Sequence, residues 1–492
     1  MILELGGPLA THKDYQKALP NWQKVDDLIN SDVDKYLRNV GSTEKDKVYA
    51  AARQAEYIDG AILHNFTLKT RDGMKGAIFL RAPTIDLPSQ LEYLLDDCDG
   101  AGLDLLQQSQ GAVDQDLRKG RAGLLVDMPS TKEVPTLAQQ ESGEMVPRIQ
   151  MYEAQDIINW HTVRYGSINR LHQIVLREEY DANFAGGFGD TVPQYQYRVL
   201  GVDGDGYYYQ QVWYADRDKK LQSLTRDGQS VFYPRQNGQL MREIPFYFIG
   251  ADNNSYHIGT QPLLPIAQLN IGHYRNSADT EENSFVCSQA MLVLSPGENI
   301  SPDKWMELNP DGVMVGSRRG LNVGAGGSAT FIQAAESDKA MRLMQNKEEQ
   351  AVQLGAQLIT PSQQVTAEAA RIQQGANGSI LSNIAQNVTA AYRKAIEQCA
   401  LFLGVSEEFD FSLSNDFFYQ AMTAQERAQW VSEVMTGITP LDLFYDKLRQ
   451  TGEYPDDYTN DDIAAMLREQ PPLGLELGLN GDDEEPLNAN EE

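Results

Sequence analysis

The chain has 492 residues, 41% of them hydrophobic and 23% charged, with a formal net charge of -29. That composition excludes a wholly disordered chain and leaves room for about three domains. It also argues against a simple nucleic-acid binder, because phosphate contacts are supplied by Lys and Arg; any DNA partner would meet segregated basic patches or a surface built not to hold it.

In chain order, residues 1 to about 155 read as helix-rich with a few strands. The opening MILELGGPLATHKDYQK has neither a basic start nor a long apolar stretch, so no signal peptide is expected. Leu103, Leu106, Val113 and Leu117 share one face of a helix that ends at Gly120. Gly123 to Val126 is a short apolar run suited to a buried strand, closed by Asp127 and Pro129. The polar stretch 130–147 is a surface loop. From about 149 to 250 the pattern is that of strands: Tyr195, Tyr197 and Val199 alternate with polar residues, Asp203 to Gly206 turns, and Tyr207, Tyr209, Gln211 and Trp213 return. The aromatic residues at 207–214 suit strand packing, or a base-stacking platform. A second Asp-Gly, Asp227-Gly228, sits between Leu224 and Val231.

The chain turns helical again after Gly259. A long helix is predicted after Pro265, followed by a compact insert with strands at Met291–Leu294 and Val313–Val315. Ser301-Pro302 has the order of an N-cap followed by Pro at the first helical position, and opens a short helix through Trp305 and Leu308. Gly324 to Gly327 reads as a flexible loop. A second long helix is predicted from Glu336 to Ile359, ended by Thr360-Pro361. Residues 361–378 are small and polar with no apolar face. Then Leu381, Ile384, Val388, Ala391, Tyr392, Ala395, Cys399 and Phe402 repeat at threes and fours. A strand at Phe409–Leu413 precedes Thr423-Ala424-Gln425-Glu426, a capping box. Three short helices follow, and from Asp482 on every charged residue is acidic, the mark of a disordered tail.

Signatures of chemistry are missing. There is no GxxxxGK[ST] phosphate loop, no GxSxG elbow and no HExxH, and no two of His12, His64, His161, His172, His257 and His273 stand at helical ligand spacing. Cys98, Cys287 and Cys399 form no CxxC and read as small buried hydrophobes in a reducing compartment. Asp97–Gly100 and Asp203–Gly206 look like calcium loops, but the twelfth loop position is Gln108 or Tyr214 instead of a bidentate acid; turn chemistry accounts for both. No window approaches the ~18 apolar residues of a membrane span. Neither a metal, a cofactor nor an enzymatic activity is expected.

The order of elements, with GRAGLLVDMP at 120–129, YEAQDIINW at 152–160, PLLPIAQLNIGHYRNSAD at 262–279, DGAGLDLL at 99–106 and IDLP at 85–88, resembles the portal proteins of tailed bacteriophages over roughly residues 15–460. The resemblance implies an α+β, portal-like fold. It would comprise a mixed wing (1–260), a first stem helix (261–288), a small α/β clip (289–333), a second stem helix (334–359) and a tunnel loop (360–378). A wing helix and strand (379–422), a helical crown (423–470) and an acidic tail (471–492) would complete it. It further implies a homo-oligomeric ring, usually a dodecamer, at one vertex of the virion capsid, assembled in the host cytoplasm. Its partners would be double-stranded viral DNA, the large terminase subunit, a head-tail adaptor, and the major capsid and scaffolding proteins, with no membrane. Ser362, Gln363, Gln364, Thr366, Glu368 and Arg371 would reach the channel. Lys304, Arg318 and Arg319 in the clip would face DNA at the exit or dock the adaptor. Competing readings are another head-tail connector or minor capsid protein, and a tail-associated hydrolase built on distant carboxylates.

Overall fold

The computed structural model describes residues 7, 9–42, 45–128, 145–180, 194–215, 221–225, 228–295, 297, 300–308, 323–333, 338–355, 367–415, 417, 422, 424–454 and 458–469. The chain divides into a larger unit, Met1–Phe79 with Pro83–Leu413, and a smaller one, Leu80–Ala82 with Ser414–Glu492. Both helix and sheet are present, and among the described residues no helix is long and apolar enough to cross a membrane.

The larger unit begins with three helices, α1 (Lys13–Ile29), α2 (Lys47–Asp59) and α3 (Phe66–Ile78). Each is opened by a side chain that satisfies an orphan backbone amide. His12 accepts from Asp14, Asp46 from Val48 and Tyr49, and Asn65 from Leu68. Strand β1 (Thr84–Asp86) and the one-turn helix α4 (Tyr93–Asp96) lead to α5 (Leu105–Lys119), capped by Asp104 at one end and by a left-handed Gly120 at the other. Trp22 is fully buried and its indole N–H donates to the carbonyl of Lys119 at 2.8 Å, tying α1 to the end of α5.

Strand β2 (Ala122–Asp127) lies between β3 (Arg148–Glu153) and β11 (Phe246–Ile249) in an antiparallel sheet, and its first five residues are all buried. A strand without alternation needs cover on both faces. Helices α5 and α9 (Ala367–Leu403) pack against it. Gly123 is required there: a Cβ would sit 2.2 Å from Phe246 Cζ and 3.1 Å from Ile157 Cδ1.

The remaining strands form a meander of β4 (Ile157–Tyr165), β5 (Ile168–Tyr180), β6 (Gln194–Val202), β7 (Tyr208–Ala215) and β8 (Leu221–Ser223), with the short hairpin β9 (Arg235–Gln236) and β10 (Gln239–Leu240) beside it in sequence. The predicted hairpin is β6–β7, with Val202 opposite Tyr208. Its turn is closed by Asp203, whose carboxylate accepts from the amides of Asp205 at 3.0 Å and Tyr207 at 2.8 Å. Asp97 and Asp99 act in the same way on the amides of Gly100, Gly102, Ala101 and Leu103. These carboxylates serve turns, as the sequence suggested. Tyr208 and Tyr209 are buried and serve packing, while Tyr207, Trp213 and Tyr214 of the same run are partly exposed. Cys98, Cys287 and Cys399 are all buried and form no disulfide among the described residues, and burial pushes the Cys399 thiol up to about 12. Strand β14 (Asp410–Ser412) returns to pair with β1.

The smaller unit holds α10 (Ala424–Met435), α11 (Leu441–Gln450) and α12 (Asn460–Glu469). Tyr445, Leu448 and Ile463 form its core with Met422, Phe444 and Tyr454 packed around them. Thr459 and Asp462 cap α12 reciprocally, each side chain accepting from the other's backbone amide at 3.0–3.2 Å. The predicted box at Thr423 and the acidic tail at 471–492 lie outside the described residues.

Candidate functional site

Helix α6 (Leu264–Ser288) starts with Pro at its first turn and runs for 25 residues, about 37 Å at ~1.5 Å per residue. Its buried face is unusual in carrying Asn270, His273 and Ser277 among Ile266, Ala267, Ile271, Tyr274 and Ala278. Every buried polar group must find a partner or cost stability, and for Asn270 and Ser277 the first three helices and their connections supply it. Asn270 accepts from the backbone amide and hydroxyl of Thr67 at 3.1 and 3.2 Å, and donates to the carbonyl of His64 at 2.8 Å. Ser277 accepts from the amide of Ile62 at 2.9 Å. The Tyr274 hydroxyl donates to Asp34 at 3.0 Å, and burial together with that bond raises it to about 12. Arg275 donates to the carbonyl of Tyr36, Asp279 accepts from Tyr57 at 2.8 Å and pairs with Arg38, and Glu282 pairs with Arg53 at 3.1 Å.

Removing the amide of Asn270 strands the buried N–H of Thr67 and the part-buried carbonyl of His64 together. At ~1–3 kcal/mol per unsatisfied group, Asn270→Ala is expected to cost about 2 kcal/mol in urea unfolding. A midpoint equal to the unsubstituted chain's would mean that these bonds add nothing.

The other side of α6 faces α8 (Lys339–Gln353). Lys347 donates to the carbonyl of Gly272 at 2.8 Å, His273 Nε2 meets Glu348 at 3.0 Å, and the Thr280 hydroxyl approaches Met344 Sδ at 3.6 Å. Residues 272 and 273 meet 347 and 348, while Thr280 further along meets Met344, so the two helices are antiparallel. Gly272 admits the Lys347 chain, whose Cε would lie 3.2 Å from a Cβ there. His273 is fully buried against Phe66; burial lowers its pKa, and Glu348 opposes the shift.

Beyond Thr280 the clamps thin out, and Phe285 and Val286 are exposed. Strands β12 (Met291–Ser295) and β13 (Ser328–Ile332) form an antiparallel hairpin there, and Gln333 ties it back to the carbonyl of Cys287 at 2.7 Å. Met291, Val293, Phe331 and Ile332 are all exposed, up to 69% for Met291. Between the strands lies α7 (Pro302–Leu308), opened by Ser301 as its sequence predicted: the Ser301 hydroxyl accepts from the amide of Lys304 at 3.3 Å. Lys304 is exposed.

Several expectations need correction. The second long helix spans Lys339–Gln353 instead of 334–359; Leu354 caps it and Gly355, at φ +124, turns the chain away. The Gly-rich run at 324–327 leads straight into β13, an exposed strand that pairs with β12 and that the sequence reading missed. The helix expected at 379 begins at Ala367, so the residues from there to 378, read as loop, are helical. The segment has no apolar face, but Ala, Glu, Arg and Gln carry enough intrinsic propensity to extend a helix, and a Gly costs it only about 1 kcal/mol. Glu368 and Arg371 therefore stand on α9. Ser362, Gln363, Gln364 and Thr366, the strand at 313–315, and Arg318 and Arg319 lie outside the described residues, so Lys304 alone of the expected clip cations is placed.

Two ionisable core groups carry no signal in the sequence. Arg121, 1% exposed, lies 4.3 Å from the ring centroids of both Trp160 and Phe248, donates to the carbonyl of Tyr256 at 3.2 Å, and is pushed down to about 9 by burial. His12 stacks on Trp160 at 4.0 Å, so cation and imidazole occupy the two faces of one indole. Asp116 is wholly buried, and neither carboxyl oxygen has a hydrogen-bond partner among the described residues. Only the identity of the flanking helix and strand was legible for these; their surroundings are assembled from distant segments.

A family model described as a domain of unknown function (DUF4055) matches residues 262–403, the span from α6 through α9. No curated protein gives a significant match. Among solved structures, a chain of the virion of a native gene transfer agent particle is 13% identical, with a TM-score of 0.38, covering 78% of this chain and 88% of that one. A chain from the neck of the native particle, computed with C12 symmetry, is 14% identical at the same TM-score and coverage. An HK97-family phage portal protein from Corynebacterium diphtheriae is 11% identical, with a TM-score of 0.29, covering 73% of this chain and 94% of that one.

Proposed function

We propose that the chain is a portal subunit that closes into a ring at one capsid vertex of a tailed phage, serving as a structural conduit for DNA and not as an enzyme. The observation that carries this reading is the antiparallel pair α6–α8 with its hairpin β12–β13. A lone two-stranded hairpin is marginal in water, and this one leaves Met291, Val293, Phe331 and Ile332 uncovered. Such a module is incomplete in one chain. Head-to-tail contacts that close by rotation would cover it in each copy, and rows of paired helices would then tile a wall. A net charge of -29 suits a wall along which DNA slides without being gripped. The sequence resemblance at 262–279 falls on α6 itself. In the ring, Lys304, Arg318 and Arg319 would serve the exit or the adaptor, and residues 362–371 the channel.

The test is negative-stain imaging of the full chain expressed alone. Closed rings with a central hole are expected, and twelve subunits are the expected count. Met291→Glu with Phe331→Glu should keep the monomer folded, because both side chains are exposed, yet shift the population from rings to monomers. Rings unaffected by the double substitution would remove the hairpin from the interface. Monomers of the unsubstituted chain at every protein and salt concentration would sink the portal reading.

A further inference from the structure

A cavity of about 520 Å³ opens in the larger unit between the β4–β5 turn, the β6–β7 turn, the segment around β11 and helix α9. That volume falls within the ~300–1,000 Å³ range of small-molecule sites. Its chemistry runs against that of the chain. Arg170, Arg242 and Lys394 line it with a single carboxylate, Glu243, in a protein where Asp and Glu outnumber Lys and Arg by 70 to 41. Glu243 is taken by Arg170 at 3.0 Å. Arg242 lies over the ring of Tyr207, and among the described residues neither it nor Lys394 has a carboxylate partner. Two solvent-exposed cations without a carboxylate partner among the described residues thus reach the same opening, where an anion could meet both.

The walls are aromatic. Tyr165 is half exposed, and Tyr247 and Tyr256 are partly so, while Phe248 meets Tyr256 edge-on at 5.7 Å and Phe246 edge-on at 4.9 Å. Asn254 fixes the floor: its side chain donates to the carbonyl of Asn387 at 2.7 Å and accepts from the amide of Gly250 at 3.3 Å. Accessible ring faces beside unpaired cations suit a ligand that carries both a planar ring and a negative group. A bare inorganic anion would use the cations and leave the tyrosines idle.

We propose that this cavity binds a free nucleotide of the nucleoside-monophosphate class, with Arg242 and Lys394 on the phosphate and the base against Tyr165 and Tyr247.

Isothermal titration of the full chain with AMP, adenosine and inorganic phosphate tests it. Saturable AMP binding at sub-millimolar concentration is expected, at least about ten-fold tighter than either fragment. Arg242→Gln with Lys394→Gln should weaken AMP at least about ten-fold at an unchanged melting temperature, since both side chains are exposed. Glu243→Gln frees Arg170 and should tighten AMP, an effect of opposite sign that misfolding does not mimic. Phosphate binding as well as AMP would overturn the nucleotide assignment. So would the absence of saturable AMP binding, or an affinity indifferent to the double substitution.

Discussion

Alanine at position 120 is expected to cost the larger unit about 4 kcal/mol or to prevent its folding, measured by urea or thermal unfolding. Gly120 ends α5 at φ 65 and ψ 22, a left-handed conformation that charges ~1–2 kcal/mol to a residue with a Cβ. The added methyl would also lie 2.0 Å from the carbonyl oxygen of Thr260. That carbonyl has little room to retreat, because the Thr260 amide and hydroxyl both donate to Asp252, at 2.7 and 2.5 Å. Overpacking adds roughly 1–3 kcal/mol more. Gly76→Ala is the control: Gly76 lies in α3 and no atom comes within 4 Å of its would-be Cβ, so helix propensity predicts a change between zero and a gain of about 1 kcal/mol. Equal stability of the two variants would refute the argument from the close approach at Thr260.

The substitution Asp116→Asn is expected to stabilise the protein, and to do so increasingly as pH rises. Burial, followed by the charge of Asp252, pushes the Asp116 carboxyl well above the usual range. Below the unfolded-chain value of about 3.9, the group is neutral in both states and costs nothing. As pH climbs past that value, the unfolded chain releases its proton while the folded protein keeps it. Stability therefore falls with pH until the folded-state pKa is passed. The amide of the variant has no proton to release. Melting curves of the two proteins should nearly coincide at pH 4 and separate by several degrees at pH 8, with the variant higher. A constant offset across that range would mean that Asp116 does not titrate differently in the two states.

The readable parts of this fold are those whose pattern is local. Leu381, Ile384, Val388, Ala391, Tyr392, Ala395, Cys399 and Phe402 recur at helical spacing, and every one is buried. The β6–β7 hairpin is announced by its Asp-Gly turn between alternating residues, and Ser301-Pro302 announces α7. What escapes the sequence is settled by distant partners. β13 is Ser-Ala-Thr-Phe-Ile after four small residues, and only pairing with β12 makes it a strand. The extent of α6 could be read, but the reason for its buried Asn270, His273 and Ser277 could not, since their partners lie at 62–67 and 348. The cations of the cavity come from three separate segments, so no motif in the chain marks it.

The polar inner face of α6 has a mechanical consequence. Two helices joined by a purely apolar seam can shear past one another by a turn, about 5.4 Å, and find another acceptable packing. The bonds of Asn270, Tyr274, Arg275, Ser277 and Asp279 to residues between 34 and 67 have no such second position one turn away. Up to Glu282 the helix is therefore pinned in rotation and translation alike, and a thrust applied along it passes to α1–α3 without slippage. Past Glu282 the hold on the helix changes in kind: the hairpin is fastened to its last turn through Gln333 and the carbonyl of Cys287, so what the hairpin feels reaches α1–α3 by way of α6.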